Sequence, residues 1–207
     1  MNIKIIFSDR LIPDPDGQIL QLLPDCPVPD PDTLQDYAAK WNIGVITPAF
    51  YRNGQRGMTC VTPDQQIFQP MCFPEEKDIL SGVDIFPVTF PWGKLALCCE
   101  ADVFQPQYAR LAALRGCVLM AVSFPWQKEQ LRMSGPWSVC QANCLPVALA
   151  QPEGGTLILP CPMTPDHSGF GRDRFDTGEL AAAYREFPVF DSLNRDFYEK
   201  YREVLET

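Results

Sequence analysis

The sequence predicts an α/β fold in which two facing sheets carry helices on their outer faces. Three observations carry this expectation. Gly93 to Phe124 reads strand, helix, strand; Thr33 to Ile46 reads helix, then strand; and Met58 to Gln69 reads as a meander around Pro63-Asp64-Gln65. A strand–helix–strand unit requires parallel neighbours, whereas a meander pairs antiparallel, so both connections belong in a layered fold.

Taken in order, Ile3 to Phe7 is a short β run that ends at Ser8-Asp9. The stretch from Ile12 to Pro31 is rich in Pro and Asp and reads as loop. Asp32 has the chemistry of an N-cap, with Gln35 three positions on. The helix from Thr33 to Asn42 shows Leu34, Tyr37, Ala38 and Trp41 on one face. Gly44 ends it, and Val45-Ile46 opens a strand running toward Phe50. Tyr51 to Gly57 reads as a hairpin connection between that strand and the meander. Pro70 to Ser81 is loop and Ile85 to Phe90 a strand. In the central unit, Lys94 to Cys99 is a buried strand, and Gln107 to Leu114 repeats Tyr108, Leu111, Ala112 and Leu114 at helical spacing. Gly116 stops the helix, and Cys117 to Phe124 is the second strand, expected to run parallel beside the first.

Beyond it, Trp126 to Pro136 reads as polar loop and Trp137 to Cys144 as helix. Pro146 to Leu149 and Thr156 to Leu159 read as strands around Glu153-Gly154-Gly155. Pro160 to Phe175 reads as loop. Asp176 with Glu179 caps a further helix ending before Phe187-Pro188, and Asp191 to Leu205 gathers Phe197, Tyr201, Val204 and Leu205 on a last helical face.

With 207 residues the chain suits one domain, 1–207, with a proper core. Its net charge of −9 disfavours nucleic acid and anionic membrane as partners. No apolar run approaches the ~18 residues of a membrane span, and Met1-Asn2-Ile3-Lys4 opens no signal peptide, so a cytoplasmic location is expected. The nine cysteines lack framework spacing and read as reduced core residues.

The segment around Glu100 resembles the nucleophile region of the carbon–nitrogen hydrolase (nitrilase) superfamily. Gly93, Lys94, Leu95, Asp102, Pro106, Tyr108, Ala109 and Arg110 fall in step with that family's pattern. The family also carries a Gly eighteen residues before its cysteine, and 100 − 82 = 18 aligns Gly82. Further segments agree in order: the helix and strand from Thr33, the meander with its Pro-Asp turn, and Thr177 to Tyr198 at the carboxyl end. The resemblance implies an α-β-β-α sandwich, here shortened at the amino-terminal edge, with Ile3–Phe7 as either its first strand or its carboxylate strand. It also implies a Glu-Lys-Cys triad acting on nitriles or amides, in which cysteine attacks, glutamate is general base and lysine stabilises the oxyanion.

Carried over position by position, none of the three triad residues survives. Asp9 takes the slot of the base, one methylene short of Glu. Phe73 falls where the lysine belongs, and Lys77, nearby, sits in an acidic cluster with Glu75, Glu76 and Asp78. Glu100 occupies the nucleophile slot; Cys99 is the alternative nucleophile only if a bulge at the strand end shifts the frame by one. The expectation is therefore a nitrilase-like protein without its triad, serving in binding, scaffolding or regulation with an unidentified small ligand. The alternative is an active amide or nitrile hydrolase using Cys99, with Glu100 or Asp9 as base. The resemblance further implies a homodimer joined through Gln107–Leu114 and Phe187–Leu205.

Other constellations carry less. His167 is the single histidine and reads as a surface loop residue. Cys140 and Cys144 are four apart on a helix, a metal-ligand spacing that lacks a second pair and better suits a buried face. Gly154-Gly155 is a turn without the Lys-Ser/Thr of a phosphate loop. No cofactor and no metal are implied.

Overall fold

The computed structural model describes residues 2–13, 19–24, 26–74, 81–124, 133–152, 154–160, 167–169 and 171–176. The first half of the chain supplies strands β1 (Asn2–Phe7), β2 (Ile19–Leu22), β3 (Gly44–Ile46), β4 (Phe50–Arg52), β5 (Gln55–Val61) and β6 (Gln66–Pro70), with helix α1 (Pro31–Trp41). The second half supplies β7 (Val88–Phe90), β8 (Gly93–Cys99), β9 (Cys117–Ser123), β10 (Val147–Gln151), β11 (Gly154–Ile158), β12 (His167–Gly169) and β13 (Gly171–Asp176). A 3₁₀ turn at Glu100–Phe104, helix α2 (Pro106–Leu114), a π turn at Met133–Trp137 and helix α3 (Ser138–Asn143) complete it among the described residues.

One sheet runs β13-β1-β2-β3-β5-β4, with β6 on the other side of β5; the second runs β12-β11-β10-β9-β8-β7. β1, β2 and β3 are parallel to one another. So are β8, β9 and β10, with Leu95 to Cys99 opposite Leu119 to Ser123. The expected parallel pair of Lys94–Cys99 and Cys117–Phe124 is thus present, and two successive strand–helix–strand units, through α2 and α3, build this half. In the second sheet β8 reads inward twice over. Leu95, Leu97 and Cys99 face the other sheet with Ile5, Phe7, Leu22, Ile46 and Cys60, while Ala96 and Cys98 face Tyr108, Ala109 and Ala112 of α2. That two-sided burial is why the strand is a continuous apolar run rather than an alternating one. On the far side of the first sheet, Leu34 and Ala38 of α1 cover Ile6, Val45 and Val61. The order of layers is helix, sheet, sheet, helix. Among the described residues no helix is long and apolar enough to cross a membrane.

Close approach of the sheets depends on one glycine. A Cβ at Gly155 would lie 2.0 Å from the Phe7 ring, so only a residue without one lets the ring pack there. Between β4 and β5, Asn53 (φ 50°) and Gly54 (φ 79°) form the left-handed two-residue turn that hairpins favour.

Several expectations are corrected. The stretch Ile12–Pro31 is not all loop: β2 lies within it and is central in its sheet. Its apolar Leu20 and Leu22 are hidden in sequence by Pro and Asp on either side, and by Gln21 between them. The buried Gln21 amide donates to the Arg10 carbonyl at 2.7 Å and accepts from the Ile12 amide at 3.4 Å. The cap of α1 is Asp30, not Asp32. Its carboxylate accepts from the Asp32 and Thr33 amides at 3.2 Å each, because Pro31 takes the first helical position, where a missing N–H costs nothing. Pro160–Phe175 is likewise not all loop, since β12 falls within it and β13 begins within it, each edging one sheet. The strand of Ile85–Phe90 shrinks to Val88–Phe90. Cys144 does not continue its helix but caps it in the left-handed conformation, φ 45°. Asp176, read as a helix cap, is the last residue of β13; the helix expected after it and the last helical face, Asp191–Leu205, lie outside the described residues, as does Lys77.

Candidate functional site

The parallel strands of both sheets end on the same side of the sandwich. The Ala49 amide, after β3, donates to Ser123 Oγ, at the end of β9, at 3.0 Å. Carboxyl ends of strands are where α/β folds place their ligands, because backbone groups and loops converge there.

At this end β8 stops abruptly. Cys99 still has extended geometry, but Glu100 has φ 45°, left-handed and unfavourable for a residue with a side chain, and the 3₁₀ turn begins at once. Such a strained strand-to-helix elbow lifts a side chain off the sheet and holds it rigidly at the strand end. The elbow raises Glu100, and Arg56 of the facing sheet meets it. Arg56 Nε donates to Glu100 Oε2 at 2.8 Å, and its Nη2 donates to Oε1, a two-pronged pair across the sandwich. Only 12% of the Glu100 side chain and 25% of the Arg56 side chain remain exposed. Hydrogen bonding to the carboxylate raises the Arg56 pKa, outweighing the burial that would lower it. Tyr51, directly opposite Arg56 on β4, stacks under the guanidinium with its ring centre 5.1 Å away.

Two residues on, Asp102 is fully buried. Its two oxygens accept the amides of Cys72 at 2.9 Å and Phe73 at 2.8 Å, tying the segment after β6 to the elbow. Burial pushes its carboxyl up to about 6, against the lowering effect of those two amides, and the Glu100 charge adds to the rise. Buried Gln69 makes a second tie. Its amide nitrogen donates to the carbonyls of Pro70 and Asp84, and its oxygen accepts the Phe86 amide at 2.8 Å.

The sequence-predicted positions separate here. Glu100 stands at the elbow. Cys99 is fully buried between the sheets, and burial lifts its thiol well above the ordinary value, the Glu100 and Asp102 charges lifting it further. Cys98 points to the α2 side, equally buried and raised. Phe73 is 43% exposed and contributes its backbone amide rather than a cation. Asp9 is also exposed, its side chain against Arg10 at 3.6 Å. The Cys140 thiol is buried with its sulfur 3.5 Å from the Ile158 carbonyl, and no cluster of three or more metal-binding side chains occurs among the described residues. Arg56 was missed: it falls inside the segment read only as a hairpin connection. The available signal was chemical, since a carboxylate in a nucleophile slot between two apolar sheets requires a cation opposite it.

Both Glu100 oxygens accept from the Arg56 guanidinium, and the neighbouring Cys98 and Cys99 thiols are enclosed, burial raising the pKa of each.

Helix, sheet, sheet, helix with an elbow after β8, the first of three adjacent parallel strands, defines the nitrilase-type α-β-β-α sandwich, and this chain has that fold. Solved structures of the nitrilase superfamily superpose on it over nearly its full length. Nit3 of Saccharomyces cerevisiae, a member of branch 10 of that superfamily, matches with a TM-score of 0.72 at 14% identity, covering 94% of this chain and 96% of its own. A mutant of the amidase from Nesterenkonia sp. AN1, in complex with acrylamide, matches at 0.69 and 16% identity, covering 97% of each chain. A carbon–nitrogen hydrolase superfamily protein from Xanthomonas campestris, with an arsenic adduct in its active site, matches at 0.67 and 12%, covering 94% of this chain and 98% of its own. At such identities the likeness is one of fold. No protein-family model and no curated protein matches the sequence.

Proposed function

We propose that this chain is a non-catalytic protein on a carbon–nitrogen hydrolase fold, a binding or regulatory homologue whose nucleophile position is sealed by an ion pair. The observation that carries the reading is Glu100 at the strained elbow with both oxygens held by Arg56. Covalent amide or nitrile hydrolysis needs an activated nucleophile, a base, and a donor free to receive the oxyanion. Here the elbow carries a carboxylate neutralised by its partner, the adjacent thiols have raised pKa values, and the nearest cation is engaged. A homodimer through the α2 face belongs to the same proposal, supported by Leu111 and Leu114, 39% and 50% exposed on that helix.

The test is a broad panel of aliphatic and aromatic amides and nitriles. No turnover is expected from the natural protein or from Glu100→Cys, since losing an oxyanion donor alone typically costs about 10²–10³ in rate. Peptide mapping after iodoacetamide treatment of the folded protein should leave Cys99 unmodified. Turnover abolished by Cys99→Ala would overturn the proposal in favour of an active hydrolase.

A further inference from the structure

The opposite end of the sandwich holds a cleft that the Glu100 site does not use. β8 is seven residues long, so its first residue, Gly93, lies about 20 Å from the elbow. There the β5–β6 turn of one sheet faces the β7–β8 turn of the other, with the end of α1 between them. They enclose a cavity of about 200 Å³. Phe90 and Trp92 stack at 4.6 Å and 10° to form an aromatic wall, and Trp92 keeps only 8% of its surface exposed. Thr62 and Asp64 come from the β5–β6 turn of the other sheet, and Asn42 and Thr89 also line the cavity. Asp64 carries the only formal charge among the lining residues described.

The walls are fixed before any ligand arrives. The Thr62 amide donates to the Gln65 carbonyl at 2.8 Å, closing the turn. Gln35 of α1 donates to the carbonyls of Thr62 and Pro63 at 2.6 and 2.7 Å, anchoring the turn to its helix. A preformed concavity that sets an aromatic wall beside polar side chains has the anatomy of a ligand site. Its volume falls below the ~300 Å³ at which drug-sized pockets begin, so its occupant is about ten heavy atoms or fewer. An aromatic wall facing a lone carboxylate, on a chain of charge −9, selects a cation with an apolar body. We propose that this cleft binds a small aromatic ammonium ion, its ring against Phe90 and Trp92 and its charge toward Asp64. The inference stands apart from the reading of the Glu100 end.

Benzylamine and its neutral isostere benzyl alcohol test it, titrated against the full chain while following the Trp92 indole N–H resonance, assigned through Trp92→Phe. Saturable shifts are expected for benzylamine with a Kd of about 10⁻⁴–10⁻³ M, as suits a fragment-sized ligand. Benzyl alcohol should bind roughly five- to tenfold more weakly at low salt, the gap closing as salt screens the carboxylate. Asp64→Asn, on an exposed turn, should erase the preference while leaving the melting temperature unchanged. Thr89→Arg, at the exposed rim, should abolish binding of both compounds. Equal affinity for the two compounds, absence of any saturable shift, or binding indifferent to both substitutions would overturn the proposal.

Discussion

Glu100 and Arg56 form a pair in which each half depends on the other. Each charge is mostly withdrawn from water, so removing one partner strands the other. Arg56→Met is expected to cost about 2–3 kcal/mol, somewhat below the ~3–5 kcal/mol of fully buried pairs because part of each side chain stays wet. Adding Glu100→Gln to that variant should recover a large part of the loss. A double-mutant cycle by urea denaturation measures both, and additive losses would show that the pair is not coupled. Asp102 gives a second residue-scale prediction. Its folded-state pKa of about 6 lies above the ordinary aspartate value near 4, so between those values the folded chain holds more protons than the unfolded one. Stability from this group is therefore complete below about pH 4 and is lost as pH rises through 6, by at most about 3 kcal/mol. Asp84 shifts the opposite way, lowered by its hydrogen bond to the Ile85 amide and by Arg115, so the raw pH profile mixes the two. The informative quantity is wild type minus Asp102→Asn. That difference in unfolding free energy should fall between pH 4 and pH 7, and a flat or rising difference would refute the assignment.

At the scale of elements, legibility followed how local the determinants are. The β8–α2–β9 unit was readable because two apolar runs, the helical spacing between them and Gly116 are contiguous signals. β2 was unreadable because its identity as a central strand comes from partners on both sides, β1 and β3, not from its own flanks. β12 and β13 are similar: Gly, Arg and Asp in Gly171–Asp176 have weak strand preference, and pairing decides the matter, with β1 for β13 and with β11 for β12. The candidate site divides in the same way. Glu100 could be placed from Gly82, Asp102 and Pro106, which lie within one stretch. Arg56 could not, since its partner is 44 positions away on another sheet. The α1 cap shows how close two readings can be and still differ measurably. Asp30→Ala removes the acceptor for two helix amides and should cost about 1 kcal/mol. Asp32→Ala removes only a first-turn charge and should cost a few tenths. Chemical denaturation ranking Asp32 above Asp30 would reverse the assignment.

For the whole molecule, the layered order was foreseeable once parallel units and a meander had to share one core. The proposed association rests on the outer surface. α2 buries Tyr108, Ala109 and Ala112 against the second sheet, yet leaves Leu111 and Leu114 facing outward one helical turn apart. In the same helix layer Trp137 is 38% exposed. Single exposed apolar residues are ordinary on a monomer, but two leucines on one turn beside a tryptophan-bearing layer offer a contiguous face. Pairing across a twofold axis would set this face against its own copy, the self-complementary arrangement that closes a dimer. Sedimentation at micromolar concentration should therefore give a species of about twice the 23.3 kDa chain mass. Leu111→Asp with Leu114→Asp would place carboxylates opposite their own copies, and the same measurement should return the chain mass with an unchanged far-ultraviolet circular dichroism spectrum. A natural protein that sediments only as the single chain, or a dimer that tolerates both aspartates, would rule out this face as the interface.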